Sequence, residues 1–147
     1  MIYRLLYRLL YDSPDVRDRV GTRIYPERAP ASVVRPFIVL RFAGSTVNAH
    51  LSNETGLAER LMQIDYFDDT ASGAESGMER VRLLLSGYSG DVDVLDDLGD
   101  EQTLSVVVNL DDVGLIPYAP QDGSDKWIYR ASTEAQVFHS QDVPTHV

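Results

Sequence analysis

The first apolar positions of the chain recur with the period of an α-helix. Four leucines between positions 5 and 10 follow the i, i+1, i+4, i+5 spacing of one helix face. After them, Ser13 and Pro14 are typical of an N-cap followed by proline at the first helical position, and Gly21 is a typical helix terminator. The pattern therefore predicts one amphipathic helix and a second, short helix.

The pattern then changes to that of β-strands. Residues 37–42 are β-branched and aromatic, which predicts a first strand, and the polar segment 44–56 predicts a hairpin loop. From 57 to 67 apolar and polar residues alternate, which predicts a second strand. Its polar side includes Gln63 and Asp65, so we expect that side to be solvated.

A third helix is predicted over residues 72–85. Ser72 and Glu75 have the spacing of a capping box, and apolar residues follow at helical intervals. Residues 87–102 are rich in Gly and Asp and predict a loop or a β-excursion.

The C-terminal part predicts two more strands, over residues 103–110 and 126–138, with a loop at 117–124 between them. One face of the last strand carries mixed large and small residues that suit a core: Trp127, Tyr129, Ala131, Thr133, Ala135 and Val137. The other face carries Arg130, Glu134 and Gln136, which we expect to be solvated and free to contact a partner.

These elements predict an α+β fold in one domain, with a mostly antiparallel sheet of four or slightly more strands and two helices packed on one of its faces. The expected organisation is N-terminal helices over 1–21, a proline-rich irregular arm over 22–36, the sheet and its helix over 37–138, and a frayed tail over 139–147.

The amino-acid composition excludes several classes of protein and of function. Hydrophobic residues make up 44% and charged residues 24% of the 147 residues, which excludes collagen-like and wholly disordered chains. The net charge of −10 argues against nucleic-acid or anionic-membrane binding as the main activity. Without cysteine there are no disulfides, thiolate zinc sites or cysteine nucleophiles. No apolar run approaches the roughly 18 residues of a membrane span, and we expect no export signal.

The charge is divided unevenly along the chain. Residues 1–41 hold eight arginines against four acidic residues, a balance of +4, so residues 42–147 carry −14. This asymmetry favours a charged contact between copies, although two solvated faces would also account for it. The candidate interface residues are Arg17, Arg19, Arg23, Arg28, Arg130 and Glu134.

The sequence shows no catalytic constellation. The three histidines are isolated, and the phosphate-loop, dinucleotide and nucleophile-elbow motifs are all missing. The acidic stretch Asp91–Glu101 is the best candidate for a divalent ion, but Leu95 stands where the EF-hand pattern needs a ligand. We therefore predict no catalytic residues, cofactor or metal. A small metal-dependent hydrolase using this stretch, or a soluble adaptor domain, remains the alternative.

Several short motifs resemble the tail-completion (tail terminator) proteins of long-tailed bacteriophages. They are the segments at 21–26, 29–30 and 35–40, then Leu61–Phe67, and the helix that ends in residues 81–85. The similarity extends over roughly residues 3–138.

The resemblance implies a non-enzymatic virion protein located at the head-tail junction after assembly in the host cytoplasm. Such proteins form a ring, typically a hexamer, at the head-proximal end of the tail tube, where they stop tail growth and join the tail to the head. The implied partners are further copies of the chain, the tail-tube protein and the head-tail connector or stopper. DNA would pass through the lumen without specific binding, and no membrane is involved.

Overall fold

A computed structural model describes residues 2–50, 53–95, 98–111, 114–118 and 127–140. Three helices and seven strands follow one another along the chain. They are α1 (Ile2–Tyr11), α2 (Pro14–Val20), β1 (Ile24–Pro26), β2 (Phe37–His50), β3 (Asn53–Asp68), α3 (Ala71–Leu85), β4 (Ser89–Leu95), β5 (Glu101–Leu110), β6 (Gly114–Tyr118) and β7 (Ile128–Ser140).

The strands form one sheet in the order β1-β2-β3-β7-β5-β4, with β6 also paired to β7. Every pairing is antiparallel except that of β1 with β2. β5 and β6 follow each other along the same edge of β7, since Leu110 pairs with Ala135 and Gly114 with Ser132. The α+β class and the mostly antiparallel sheet are thus confirmed, and the sheet has seven strands where four or slightly more were predicted.

All three helices pack on one face of the sheet, where the prediction placed two. Fully buried leucines of α1 and valines of α2 and α3 join one core with the inward residues of the central strands, α2 packing mainly against α1 and α3. On β3 these inward residues are Met62, Ile64 and Tyr66, as the alternation predicts. Each fully buried side chain of this size contributes about 1.5–3 kcal/mol, so this layer carries most of the fold's stability.

The contact between α3 and β3 depends on a glycine. A Cβ atom added at Gly77 would lie 2.0 Å from Cζ of Tyr66, closer than any real contact. The bare backbone of α3 therefore rests directly on the Tyr66 ring, and this explains a glycine inside a helix that it weakens intrinsically.

A smaller cluster lies on the opposite face of the sheet. Phe37 and Phe67 stack with ring centroids 4.7 Å apart, and Val39 packs beside them. Ala29 and Val33 of the segment between β1 and β2 cover this cluster. The proline-rich arm is therefore held onto the sheet, and its first residues form β1 instead of an irregular segment.

Two further predictions about local structure are wrong. Segment 44–56 is not a loop, because β2 and β3 stay paired as far as His50 and Asn53, with residues 51–52 outside the described part of the chain. The cap of α3 is Thr70, whose Oγ1 accepts a hydrogen bond from the Gly73 amide at 3.0 Å, and Ser72 already lies inside the helix.

The boundaries of the later strands also differ from the predicted ones. Within residues 87–102, Ser89–Leu95 form β4 and Glu101 and Gln102 begin its partner β5, which agrees with the predicted β-excursion, while residues 96–97 lie outside the described residues. β6 occupies Pro117 and Tyr118 of the predicted loop, and β7 extends to Ser140 into the predicted tail. Residues 119–126 and 141–147, where the rest of that loop and tail fall, lie outside the described residues. Within the described residues no helix is long and apolar enough to cross a membrane.

Candidate functional site

Two of the predicted interface arginines brace the N-terminal elements internally. Arg17 donates to the Tyr11 carbonyl at 3.3 Å, and its guanidinium lies 5.5 Å from the centre of the Tyr11 ring. Arg23 donates to the carbonyls of Pro36 and Arg19 at 2.9 and 3.1 Å. These bonds link α1, α2 and the arm, so both side chains have a structural role in the single chain.

Arg19 and Arg28 differ from each other in whether their side chains are bonded within the single chain. Arg19 donates to Oγ of Ser76 on α3 at 3.2 Å and is half-buried. Arg28 is exposed; its backbone amide donates to the Pro26 carbonyl at 2.8 Å, but its side chain makes no hydrogen bond or ion pair with the part of the chain that the structure describes. Of the four N-terminal candidates, Arg28 is therefore the one whose charge stays available at the surface.

Arg130 is not the freely solvated side chain that the sequence predicts. Only 13% of its side chain is exposed, and its Nη1 lies 3.8 Å from Oδ2 of Asp65. Arg41 approaches the same oxygen with Nε at 3.3 Å, and Gln63 donates to both Asp65 oxygens at 2.9 and 3.1 Å. Asp65 itself is completely buried, so the expected solvated side of β3 is wrong at this residue.

Asp65 is buried because long arginine side chains can pack over the carboxylate with which they pair. The stems of Arg41 and Arg130 shield the Asp65 carboxylate while their charged groups neutralise it. Glu134 lies on the same face and is exposed, as predicted. The structure thus brings Arg130 and Glu134 to the face of the sheet that carries no helix, which the arm also covers at the Phe37 cluster, whereas the arginines of α2 lie on the helix-covered side.

This helix-free face becomes strongly acidic towards β4 and β5. Asp91 and Asp93 project from β4, accepting hydrogen bonds from their cross-strand neighbours Ser105 at 3.0 Å and Thr103 at 2.5 Å. Glu101 is exposed at the start of β5. The acidic stretch is therefore a hydrogen-bonded strand pair, with Asp96 and Asp97 outside the described residues.

The metal hypothesis receives no support from this geometry. Among the residues that the structure places, no three His, Asp or Glu side chains are grouped so that they could hold a metal ion. The carboxylates of Asp91 and Asp93 instead accept bonds from hydroxyl groups beside them.

His139, which has no histidine partner nearby in the sequence, is a core residue in the structure. It is 4% exposed, its Nδ1 lies 2.9 Å from the Ser140 carbonyl oxygen, and it pairs across the sheet with Ala58 and Val106. Burial lowers the pKa of its imidazole, and the charge of Arg60 lowers it further. The alternation of β7, extended by one more inward position, could have identified this burial.

Sequence reasoning missed a groove of about 640 Å³ along the outer side of α1. Tyr3, Tyr7 and Tyr11 line it at i, i+4 and i+8, between the β1–β2 edge of the sheet and the β4–β5 edge. At one end the Tyr3 hydroxyl donates to Glu27 at 2.9 Å, and Glu27 has a left-handed backbone with φ 66°. The tyrosine spacing was the available signal, but it is also typical of ordinary core packing.

Comparison with known proteins agrees with the resemblance. The family model described as tail completion protein gp17 matches residues 4–110. Among solved structures, a chain from the virion of a native gene transfer agent particle matches with a TM-score of 0.62 at 13% identity, covering 95% of this chain and 94% of that one. No curated protein sequence matches. The likeness to the virion chain extends over nearly the whole fold.

The family match covers well over half of the chain, and it includes the arm, the β2–β3 pair, α3 and the acidic β4–β5 strands. The family model carries the assignment to a structural tail protein, and the structural neighbour shows that the fold is shared. The chain therefore belongs to the tail completion protein gp17 family, a family of structural virion proteins.

Proposed function

We propose that this protein forms a closed ring, a hexamer, on the last ring of tail-tube subunits at the head-proximal end of the tail. There it stops tail growth and provides the surface that joins the tail to the head. Residues 1–147 act as one tail-terminator-like domain, and the protein reaches the head-tail junction after assembly in the host cytoplasm. Its partners are its own copies, the tail-tube protein and the head-tail connector or stopper.

The observation that supports this proposal is the separation of the sheet's two faces. One face is closed by three helices and holds the main core, while the other has no helix and presents Asp91, Asp93 and Glu134. In a ring, an acidic face of this kind turned towards the lumen would repel the phosphate backbone of DNA and let it slide through without binding.

The contacts between neighbouring copies in the ring would use exposed charges of opposite sign. A closed ring joins two different surfaces of neighbouring copies, and those surfaces have to be complementary. The Arg28 side chain on the arm and the Glu101 carboxylate at the start of β5 are exposed groups of opposite charge, separate from the carboxylates assigned to the lumen. The hydrolase alternative has no geometric counterpart among the described residues, and the soluble-adaptor alternative has no observation in its favour.

The test is the mass of the assembly. Native mass spectrometry of purified protein, alone and mixed with isolated tail tubes, should show a closed oligomer of six copies. Its population should fall as salt rises, because exposed ion pairs are screened. A chain that stays monomeric at high concentration and does not bind tubes would contradict the proposal.

A further inference from the structure

The groove along the outer side of α1 lies beside a free edge of the sheet. Among the described strands, β4 stands at the end of the order and pairs with β5 alone. Asp93, Val94 and Leu95 of β4 line the groove together with the three tyrosines of α1. From the first tyrosine to the third, the groove follows about 12 Å of helix, the length of about four residues of extended chain. The groove therefore has the position and the length of one further strand next to β4.

The backbone of β4 directs hydrogen-bonding groups towards this edge. On β5, the Ser105 amide donates to Oγ of Ser140 on β7 at 3.1 Å, so it points away from β4. Ser105 is the register partner of Asp91, and paired antiparallel residues that do not bond each other direct their N–H and C=O groups outwards. The backbone groups of Asp91 and of Asp93, two residues further on, therefore face the edge, where the described chain offers them no partner.

Leu95 shows the same orientation at the end of β4. Its carbonyl oxygen accepts a hydrogen bond from Nη1 of Arg4 at 3.2 Å. A donor from outside the β4–β5 pair thus reaches the backbone at this edge, as the alternation requires. The positions at Asp91 and Asp93 remain for another chain, since free strand edges bind extended segments through main-chain hydrogen bonds.

The charge around the groove indicates what such a segment carries. On the α1 side, Arg8 is ion-paired with Asp12. On the side of β4 and β5, Asp93 and Glu101 are exposed, and neither forms an ion pair within the part of the chain that the structure describes. The unmatched charge is therefore negative, while the tyrosines and aliphatic side chains give the groove an apolar floor. A segment with one apolar row and one basic row is complementary to both.

We propose that the groove binds an extended segment of another protein, which adds to β4 as a strand and alternates apolar residues with lysine or arginine. Its apolar residues pack on the tyrosines of α1, and its basic residues lie beside Asp93. A second copy is a poor occupant because each copy has a net charge of −10. This inference rests on the proposed function, since the segment belongs to a neighbouring protein of the assembled tail. Asp91 and Glu134 do not line the groove, so the acidic face assigned to the lumen keeps their carboxylates.

The charge pattern is tested with two synthetic peptides of about eight residues, enough to span β4. One alternates lysine with valine, and the other alternates glutamate with valine. In fluorescence anisotropy, the protein should bind the lysine peptide at least about tenfold more tightly than the glutamate peptide. Asp93→Asn should weaken binding of the lysine peptide about two- to fivefold, whereas Glu75→Gln, an exposed change on α3, should not alter it. Equal binding of the two peptides, or binding of neither, would overturn the inference.

Strand addition is tested by hydrogen exchange resolved by NMR. When the lysine peptide binds, the amides of Asp91 and Asp93 should exchange more slowly because they gain acceptors. The Val92 amide, which points towards β5, is the internal control and should change little. A lysine peptide that binds without slowing exchange at Asp91 and Asp93 would show that no strand is added to β4.

The apolar floor is tested with two exposed leucines. Leu95→Ser should weaken binding of the lysine peptide about three- to tenfold, because Leu95 lines the groove and is 55% exposed without the segment. Leu83→Ser is the matched control, since Leu83 is 62% exposed on α3 and does not line the groove. Thermal unfolding of both variants should match that of the parent. Equal binding by the two variants would place the segment elsewhere.

The outcomes separate this inference from the proposed function. A protein that forms rings and ends tails but binds neither peptide would overturn the strand site and leave the proposed function standing. Slow exchange at Asp91 and Asp93 in the oligomer without peptide would also overturn it, since a second copy would then cover the edge. A chain that binds the lysine peptide along β4 but never forms a ring would contradict the proposed function and leave the strand site standing.

Discussion

The two faces of the central sheet differ in how they use the same strands. On β3, Ile64 is buried under the helices among apolar neighbours, whereas Asp65, the next residue, is equally buried on the opposite face among arginines. The helix-covered face gains stability from apolar burial. The helix-free face holds charges that are either internally matched or exposed, so substitutions on the two faces should affect different properties.

The largest loss of stability is expected inside the helix-covered face. Leu10→Ala removes a fully buried side chain of α1 and should lower the free energy of unfolding by about 3–5 kcal/mol, through lost burial and the cavity left behind. Leu83→Ala, a leucine of α3 that is mostly exposed, should change it by less than about 0.5 kcal/mol. Urea denaturation monitored by circular dichroism measures both. Equal losses would mean that the assigned core is wrong.

A smaller loss is expected from the buried charge cluster on the opposite face. Arg130→Glu places a second carboxylate beside Asp65 and should cost about 2–3 kcal/mol, less than a fully buried pair because Arg41 remains and is partly exposed. A solvated Arg130, as expected from the sequence, would instead make this change nearly neutral.

Glu134→Gln serves as the control for that variant, since Glu134 is exposed on the same strand. It should stay within about 0.5 kcal/mol of the parent in the same denaturation experiment. If Arg130→Glu unfolds at the parent's midpoint, Arg130 does not stabilise Asp65.

The close contact of α3 with β3 predicts a loss of stability that is comparable to, or smaller than, that of Arg130→Glu. Gly77→Ala should lower the free energy of unfolding by about 1–3 kcal/mol, because the added methyl group overlaps the Tyr66 ring. Combining it with Tyr66→Leu should make the alanine favourable, since alanine is the better helix former. An unchanged or raised melting temperature for Gly77→Ala alone would show that α3 does not lie this close to Tyr66.

The smallest expected effect is on the pH dependence of the protein's stability. His139 has a folded-state pKa below the usual value of about 6.5 because burial disfavours its charged form. The unfolded chain therefore takes up a proton first, and stability present above about pH 6.5 is lost as the pH falls through the folded-state pKa. His139→Gln should flatten the pH dependence of the melting temperature across this range. An identical slope in both proteins would contradict the assignment.

Sequence periodicity was sufficient for the elements of the helix-covered face. The leucine spacing of α1 and the alternation of β3 report burial directly, because the inward positions of these two elements are apolar. Periodicity was insufficient where residues far apart in sequence meet. The parallel pairing of β1 with β2 and the pairing of β6 with β7 depend on tertiary contacts that short segments do not encode.

The residues of the candidate surface were also predictable from the sequence only in part. Exposure of Glu134 and Arg28 follows from local polarity, and both are at the surface. The burial of Asp65 could not be predicted, since it requires Arg41 of β2 and Arg130 of β7 to converge on one carboxylate. Bonds from Arg17 and Arg23 to backbone carbonyls were equally invisible, because a carbonyl acceptor leaves no trace in the sequence.

The central claim is that this chain caps the head-proximal end of the tail tube. Electron microscopy of particles assembled with and without the protein, with the chain carrying a density label, tests it most directly. The account predicts the label as a ring at the tube end nearest the head, and tails of irregular length without attached heads when the protein is missing. Tails of normal length that join heads without it, or a label along the tube or at its distal tip, would contradict the account.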